Sequence, residues 1–169
     1  IYKDHAQRRG FEHREVHAFI PVRSQKIKGA EYALMQLGSK SVIEWVAMKA
    51  RVSELVTKLV IMVDDEQLRL CINNLFCGDQ NVSVVRRAPD DSSSSSSLKD
   101  SVRNYLLSYD QLSPETIVIL TLDYPFSRYN YIDTAIYSMF LFDSNSVDSV
   151  VMDNSIFYFH DGKGLKPWT

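Results

Sequence analysis

Four charged segments, each following an apolar run, are the places where this chain could do chemistry. The first, residues 23–28, holds three cations directly before Gly29. Cations and backbone N–H groups that converge on oxygen are what a polyphosphate requires, so Arg23, Lys26 and Lys28 are candidate phosphate ligands. A solvated basic loop explains the same residues, and the segment alone does not decide between the two.

The other three segments carry acids or arginines. Residues 64–66 could hold Mg²⁺ or a ribose hydroxyl, or they could stabilise the start of a following helix through its dipole. The pair at 86–87 offers a phosphate or base contact. Asp123 ends an apolar run just before Pro125, which suits either a metal ion bridging phosphates or an ordinary turn.

Several familiar kinds of catalytic site are absent from the sequence. There is no G-x-S-x-G nucleophile turn, no G-x-G-x-x-G and no Walker lysine loop, and the four histidines do not gather. Cys71 and Cys77 lack histidine partners at metal-ligand spacing, and we expect two buried structural thiols in a reducing compartment.

The apolar pattern predicts the elements that must position these segments. Continuous apolar runs predict strands at 16–22, 59–63, 82–85, 117–122, 149–152 and 156–160. One-sided apolar spacing predicts helices at 41–50, 68–75, 98–109 and 132–142, the first opened by a Ser41–Glu44 capping box. This alternation indicates an α/β fold, a three-layer and mostly parallel Rossmann-like sheet, whose strand ends bring the charged segments to one edge.

Length and composition fit one globular domain. The chain has 169 residues, 45% of them hydrophobic, and we expect a lead-in over 1–15 and the domain over 16–169. A net charge of −2 argues against a nucleic-acid binder. No apolar run approaches the roughly 18 residues that span a membrane, and the charged N-terminus lacks the apolar stretch of a signal peptide, so we expect a cytoplasmic protein. Since it begins at Ile1, we expect it to be part of a longer chain.

Taken in order, the segments between residues 18 and 167 resemble the acylneuraminate cytidylyltransferases, the CMP-sialic acid synthetases and their relatives. The opening AFIPVR at 18–23 resembles their Ile-Pro-Ala-Arg, and LGSKSVI at 37–43 falls in register with their Leu-x-Gly-Lys-Pro-Leu-Ile. Further matching pieces lie at 60–66, at 85–87 with the serine-rich 92–98, at 148–151 and at 164–167.

The resemblance implies the nucleotide-diphospho-sugar transferase type of fold and a defined reaction. Such enzymes transfer CMP from CTP to a nine-carbon α-keto acid sugar with Mg²⁺, releasing pyrophosphate. It implies that Arg23 and Lys26 are catalytic and hold the triphosphate, with Lys28 beside them. It further implies nucleotide contacts from Arg86 and Ser97, and a metal ligand at Asp123.

Two departures from the family pattern favour a different outcome. The family's Lys-Asn pair falls on Tyr32 and Ala33, and the chain stops where the family continues into its dimerisation and sugar-binding part. A non-catalytic member that binds nucleotide or protein is therefore the alternative, with a GT-A-type glycosyltransferase using Asp123 as the third. The aromatic cluster at 124–131 either packs the following helix onto the sheet or forms the face of a homodimer.

Overall fold

The structure is a computed structural model that describes residues 14–87, 98–108, 114–150, 158–160 and 162–167. In chain order its strands are Val16–Val22 (β1), Lys26–Ile27 (β2), Ala30–Glu31 (β3), Gln36–Leu37 (β4), Lys40–Ser41 (β5), Lys58–Val63 (β6), Val82–Arg86 (β7), Thr116–Ile119 (β8), Tyr158–His160 (β9) and Leu165–Pro167 (β10). Its α-helices are Val42–Val52 (α1), Glu66–Leu75 (α2), Leu98–Ser108 (α3) and Tyr131–Leu141 (α4).

The centre of the fold is a four-stranded parallel sheet in the order β7-β6-β1-β8. β1 and β6 pair over six residues, from His17 opposite Lys58 to Val22 opposite Val63. Both strands are almost continuously apolar because helices cover both of their faces. The predicted α/β, Rossmann-like sheet is confirmed.

Alternate residues of β1 face opposite layers, which separates the core into two sides. Ala18, Ile20 and Val22 pack with the buried stripes of α1 and α2, while Val16 packs with Ile132 of α4. On the opposite face, Phe19, Val60 and Met62 of the sheet pack against α3, which contributes Val102 and Tyr105. The three layers place the carboxyl ends of the central strands at a common edge.

Polar side chains fix the starts of α1 and α2. The Glu44 carboxylate accepts hydrogen bonds from Ser41 N (2.8 Å) and Ser41 Oγ (2.6 Å), which confirms the predicted capping box. The Asp65 carboxylate accepts from the Leu68 N–H at 2.7 Å and so caps α2.

Two predicted strands differ from the observed ones. β8 ends at Ile119 rather than at 122, because the last ladder bond joins Leu120 N to Phe19 O (2.9 Å) and the chain then turns away. Residues 149–150 form no strand and Val150 is 88% exposed, while 151–152 lie outside the described residues. The strand predicted at the tail is present in part, as a hairpin of β9 and β10.

The structure corrects the expected burial of the two cysteines. Cys71 and Cys77 are free and exposed rather than buried. Their apolar neighbours fill the core side of α2, so the thiols face outward.

On β8, Ile117 and Ile119 are 42% and 47% exposed. Within the described residues, no helix has the length and apolarity to cross a bilayer.

Candidate functional site

The candidate site lies at the carboxyl edge of the sheet, where the strand order reverses. β1 has β6 on one side and β8 on the other, so the chain changes direction across the sheet between β1 and β8. Ligands of open α/β sheets bind in the crevice at such a point. The loops that follow β1 and β8 therefore border the candidate site.

The loop after β1 forms a tight hairpin that carries the predicted cations. β2 and β3 pair through the two-residue turn Lys28-Gly29, and both turn residues have positive φ (51° and 85°), as a type I′ turn requires. Lys26 and Lys28 are exposed on this hairpin and Arg23 is exposed just before it, and none of the three forms an ion pair with a side chain that the structure describes. The structure thus brings the three cations together in one loop.

Two acidic side chains already use the hydrogen-bond donors of this loop. Ser24 N donates to Asp64 Oδ1 at 2.8 Å. The Glu31 carboxylate accepts from Ser24 Oγ (2.8 Å) and from Gln25 N (3.1 Å). A phosphate that approaches these donors must replace carboxylate oxygens, although the cations remain available. Sequence analysis missed Glu31, whose role depends on a contact that only the folded hairpin creates.

Tyr32 and Ala33, which replace a Lys-Asn pair of the related family, have structural positions here. Ala33 is 1% exposed within the core. The Tyr32 hydroxyl donates to the carbonyl oxygen of Leu122 at 3.3 Å and so joins the loop after β1 to the loop after β8. Neither residue supplies a cation or an amide to the edge.

The acidic segment after β6 divides into structural roles. Asp64 holds the first loop, Asp65 caps α2, and Glu66 pairs with Arg69 at 2.6 Å. The hydrogen bond from Arg69 lowers the pKa of Glu66. For Asp65 and Glu66, the structure therefore favours stabilisation of the helix start over metal binding.

The two arginines after β7 face different layers. Arg86 is exposed at the end of the strand, opposite Val63 in the register. Arg87 is 3% exposed, and its Nη2 donates to Ser101 Oγ of α3 at 2.7 Å. Sequence analysis singled out Arg86, and strand alternation is the signal that separates it from the buried Arg87. Ser97, the other predicted nucleoside contact, lies outside the described residues.

Asp123 is exposed near the end of β8, at the same edge as the basic hairpin. The residues described here include no group of three His, Cys, Asp or Glu side chains placed to hold a metal. Mg²⁺ is commonly bound through one or two carboxylates together with substrate phosphates and water. One exposed carboxylate fits that shared mode and does not provide a site for the ion alone.

A buried lysine that sequence analysis did not single out secures the loop after β8. Lys49 of α1 is 6% exposed, and its Nζ donates to the carbonyl oxygen of Tyr124 (2.5 Å) and to Ser127 Oγ (2.7 Å). Burial lowers the pKa of Lys49. The available signal was its spacing, since Lys49 falls three residues after the core residue Val46.

The aromatic residues after β8 do not pack α4 onto the sheet. α4 uses Ile132 and Ile136 for that contact. The aromatic side chains are 51–70% exposed, and they are Tyr124, Phe126, Tyr129 and Tyr131. The Phe126 ring lies 5.7 Å from the Trp45 ring on α1. Their alternative role as a dimer face stays a prediction.

The fold and the loops at its switch point define an α/β protein of the Rossmann-like, nucleotidyltransferase-type class. The family model described as cytidylyltransferase matches residues 22–156, which is most of the chain. The chain therefore belongs to the cytidylyltransferase family. No curated protein sequence matches it.

Solved structures share the fold at low sequence identity. CMP:2-keto-3-deoxy-manno-octonic acid synthetase complexed with CTP is 16% identical with a TM-score of 0.58, over 74% of this chain and 47% of that one. A cytidylyltransferase from Leptospira borgpetersenii serovar Hardjo-bovis (strain JB197) is 18% identical with a TM-score of 0.59, over 79% and 51%. 4-diphosphocytidyl-2C-methyl-D-erythritol synthase is 16% identical with a TM-score of 0.66, over 93% of this chain and 69% of that one. The chain thus spans about half the length of the first two.

Proposed function

We propose that this chain transfers CMP from CTP to a hydroxyl group of a nine-carbon α-keto acid sugar and releases pyrophosphate. The observation that carries the proposal is the set of exposed cations Arg23, Lys26 and Lys28 at the switch-point edge of a cytidylyltransferase-family domain. Three exposed positive side chains within six residues suit a triphosphate, which carries several negative charges.

The proposed reaction is a phosphoryl substitution. The sugar hydroxyl oxygen forms a bond to the α-phosphorus of CTP, the bond from that phosphorus to the α,β-bridging oxygen breaks, and the hydroxyl proton passes to solvent. Arg23 and Lys26 neutralise the charge that develops on the leaving pyrophosphate, since a protein catalyses this step mainly by positioning and electrostatics. In this proposal Lys28 adds a further phosphate contact, and Arg86 and Ser97 contact the nucleoside.

Asp123 is the residue proposed to hold Mg²⁺ together with the phosphates. The ion, when bound, neutralises charge on the phosphate oxygens. Asp123 lies at the same edge as the basic hairpin, because the Tyr32 hydroxyl of the first loop bonds to Leu122, the residue just before it. That short link supports a site shared between the two loops.

The acceptor is proposed from two kinds of likeness. The motif order at 18–167 resembles the acylneuraminate enzymes. One structural neighbour is a synthetase for another acidic keto sugar, complexed with CTP. A nine-carbon acidic sugar is therefore the first acceptor to try, followed by its eight-carbon analogue.

A second candidate function is that of a non-catalytic member of the family. Tyr32 and Ala33 replace the Lys-Asn pair, and Glu31 occupies donors of the first loop. These replacements favour weak nucleotide binding without turnover. The two candidates differ in one measurable respect, the release of pyrophosphate.

Calorimetric titration with CTP, in Mg²⁺ and then in EDTA, tests the binding part of the proposal, with ATP as the comparison ligand. We expect selective CTP binding, and we expect Arg23→Ala to weaken it about 10- to 100-fold, the range for losing a charged hydrogen-bond donor. Arg103→Ala is the matched control, since Arg103 is an exposed arginine on α3. Equal losses in both variants would remove the specific role of Arg23.

A pyrophosphate-release assay with the acidic sugars then separates the two candidate functions. Turnover that depends on CTP and on the sugar supports CMP transfer. CTP binding without turnover, at high protein concentration and with every acceptor tried, supports the non-catalytic alternative. Absence of CTP binding by the unmodified chain overturns both nucleotide-based proposals.

A further inference from the structure

The connection between β8 and α4, residues 120–130, is attached along one side of α1. Trp45 and Lys49 are spaced four residues apart and so lie on one face of α1, and Ser53, four residues further on, is the C-cap of the helix. The ring centroids of Trp45 and Phe126 are 5.7 Å apart, and Lys49 Nζ donates a hydrogen bond to the carbonyl oxygen of Tyr124. A further contact lies just after the connection, where the Ser53 hydroxyl donates to Asp133 Oδ1 of α4 at 2.5 Å.

Lys49 provides the polar part of this attachment. Lys49 is 6% exposed, and its ammonium group donates to Tyr124 O and to Ser127 Oγ, 75 and 78 residues away in sequence. Within the described part of the chain it forms no ion pair with a carboxylate. Burying an ammonium group is costly unless it is hydrogen-bonded, so its oxygen partners must stay in place. An apolar side chain here would fill the core but would leave those oxygens without a donor.

The same contacts bracket Asp123. The carbonyl oxygen on its N-terminal side, that of Leu122, accepts from the Tyr32 hydroxyl at 3.3 Å. The carbonyl oxygen on its C-terminal side, that of Tyr124, accepts from Lys49 at 2.5 Å. The peptide unit before Asp123 and the Tyr124–Pro125 peptide unit, one residue beyond it, are thereby tied to other elements, although the Asp123 side chain is exposed.

We propose that Lys49 is a positioning residue that, by holding the Tyr124 carbonyl group, one residue after Asp123, against α1, keeps the Asp123 carboxylate at the carboxyl edge for a metal–nucleotide complex. The inference rests on the proposed function, because that function supplies the metal–nucleotide complex that Asp123 would bind. Lys49 itself touches no substrate. It acts through the connection between β8 and α4.

The test compares Lys49→Met with Asp123→Asn by calorimetric CTP titration in Mg²⁺ and in EDTA. We expect both variants to lose the gain in CTP affinity that Mg²⁺ gives the unmodified chain, while CTP affinity in EDTA stays within about twofold of it. If Lys49 contributed only to folding stability, its replacement would not selectively remove the gain in CTP affinity that depends on Mg²⁺. Backbone amide exchange supplies a second readout: in Lys49→Met we expect faster exchange at residues 122–128 and unchanged exchange in β1 and β6.

Ser127→Ala keeps the test informative if Lys49→Met does not fold. It removes one acceptor of the ammonium group at an exposed position, and we expect a partial loss of the Mg²⁺ gain. A Lys49→Met or Ser127→Ala chain that keeps the full Mg²⁺ gain and native exchange at 122–128 overturns the inference while CTP binding stands. If the unmodified chain binds no CTP, the proposed function fails first, and the role of Lys49 toward a nucleotide fails with it.

Discussion

At the scale of single residues, the first loop is set by a balance between its cations and two carboxylates. Arg23, Lys26 and Lys28 are exposed, while Asp64 and Glu31 accept the hydrogen bonds of Ser24 and its neighbour. The carboxylates order the loop before any anion arrives. They also compete with that anion for the same donors, so the affinity for phosphate depends on both signs of charge.

Removing the charge of Glu31 is expected to strengthen nucleotide binding. Glu31→Gln keeps a side-chain oxygen that can accept from Ser24 Oγ but removes the negative charge from the residue that lies opposite Lys26 in the hairpin register. We expect CTP affinity to rise by up to about fivefold, the range for exposed charge interactions. Calorimetry measures it, with Glu15→Gln, at the start of β1, as the control. Weaker binding in Glu31→Gln would mean that loop order matters more than charge.

His17 makes the stability of the fold depend on pH. The residue is 3% exposed, and burial, followed by the charge of Lys58, lowers its pKa from 6.5 despite the nearby Glu15 carboxylate, 3.5 Å from Nε2. The folded state therefore holds a neutral imidazole that the unfolded chain protonates first. The contribution is fully present above about pH 6.5 and is lost as pH falls below that value.

Urea unfolding at several pH values measures this effect. We expect the free energy of unfolding to decline between pH 7 and pH 5 in the unmodified chain, in part through His17. His17→Leu should decline less steeply, because it removes the group that titrates. An identical decline in both chains would assign the pH dependence to other groups.

At the scale of elements, the start of α1 depends on Glu44. Hydrogen bonds from the Ser41 hydroxyl and N–H lower the pKa of Glu44. We expect Glu44→Ala to reduce the free energy of unfolding by about 1 kcal/mol at neutral pH, and Glu44→Gln to cost less because the amide oxygen still accepts. The loss from Glu44→Ala should shrink as pH falls through the carboxylate range. Chemical denaturation checks it, and equal losses for Ala and Gln would contradict a capping role.

Elements with a strong local pattern could be predicted from the sequence, and those that depend on partners could not. β1, β6 and α1 agree with their predicted ranges to within two residues because apolar spacing and a capping box specify them. β8 was predicted too long, since its end is set by pairing with Phe19 rather than by its own residues. The strand expected at 149–152 is wrong for its described half, where Val150 is exposed.

The candidate site divides in the same way. Arg23, Lys26 and Asp123 could be picked out because charged residues that end apolar runs meet at one edge of a parallel sheet. Glu31 and Lys49 could not, because their partners are created by a hairpin and by a contact across 75 residues. Local patterns indicate where a site lies, and tertiary hydrogen bonds decide how it is held.

At the scale of the whole molecule, the domain combines a family fold with a partly altered edge. The parallel sheet and the cytidylyltransferase match stand together with the replacements at Tyr32 and Ala33. A shared fold does not by itself carry an activity. The hydrogen bond of Tyr32 to Leu122 makes this side chain part of the architecture that joins the loops after β1 and β8.

The outer strand of the sheet has a practical consequence for work with this protein. Ile117 and Ile119 stand half exposed on β8, which pairs with β1 alone among the described strands. Exposed apolar side chains beside an unpaired strand edge favour association between copies of a protein as its concentration rises. Colloidal behaviour, rather than the strength of the fold, is therefore expected to set the highest concentration at which this chain can be handled.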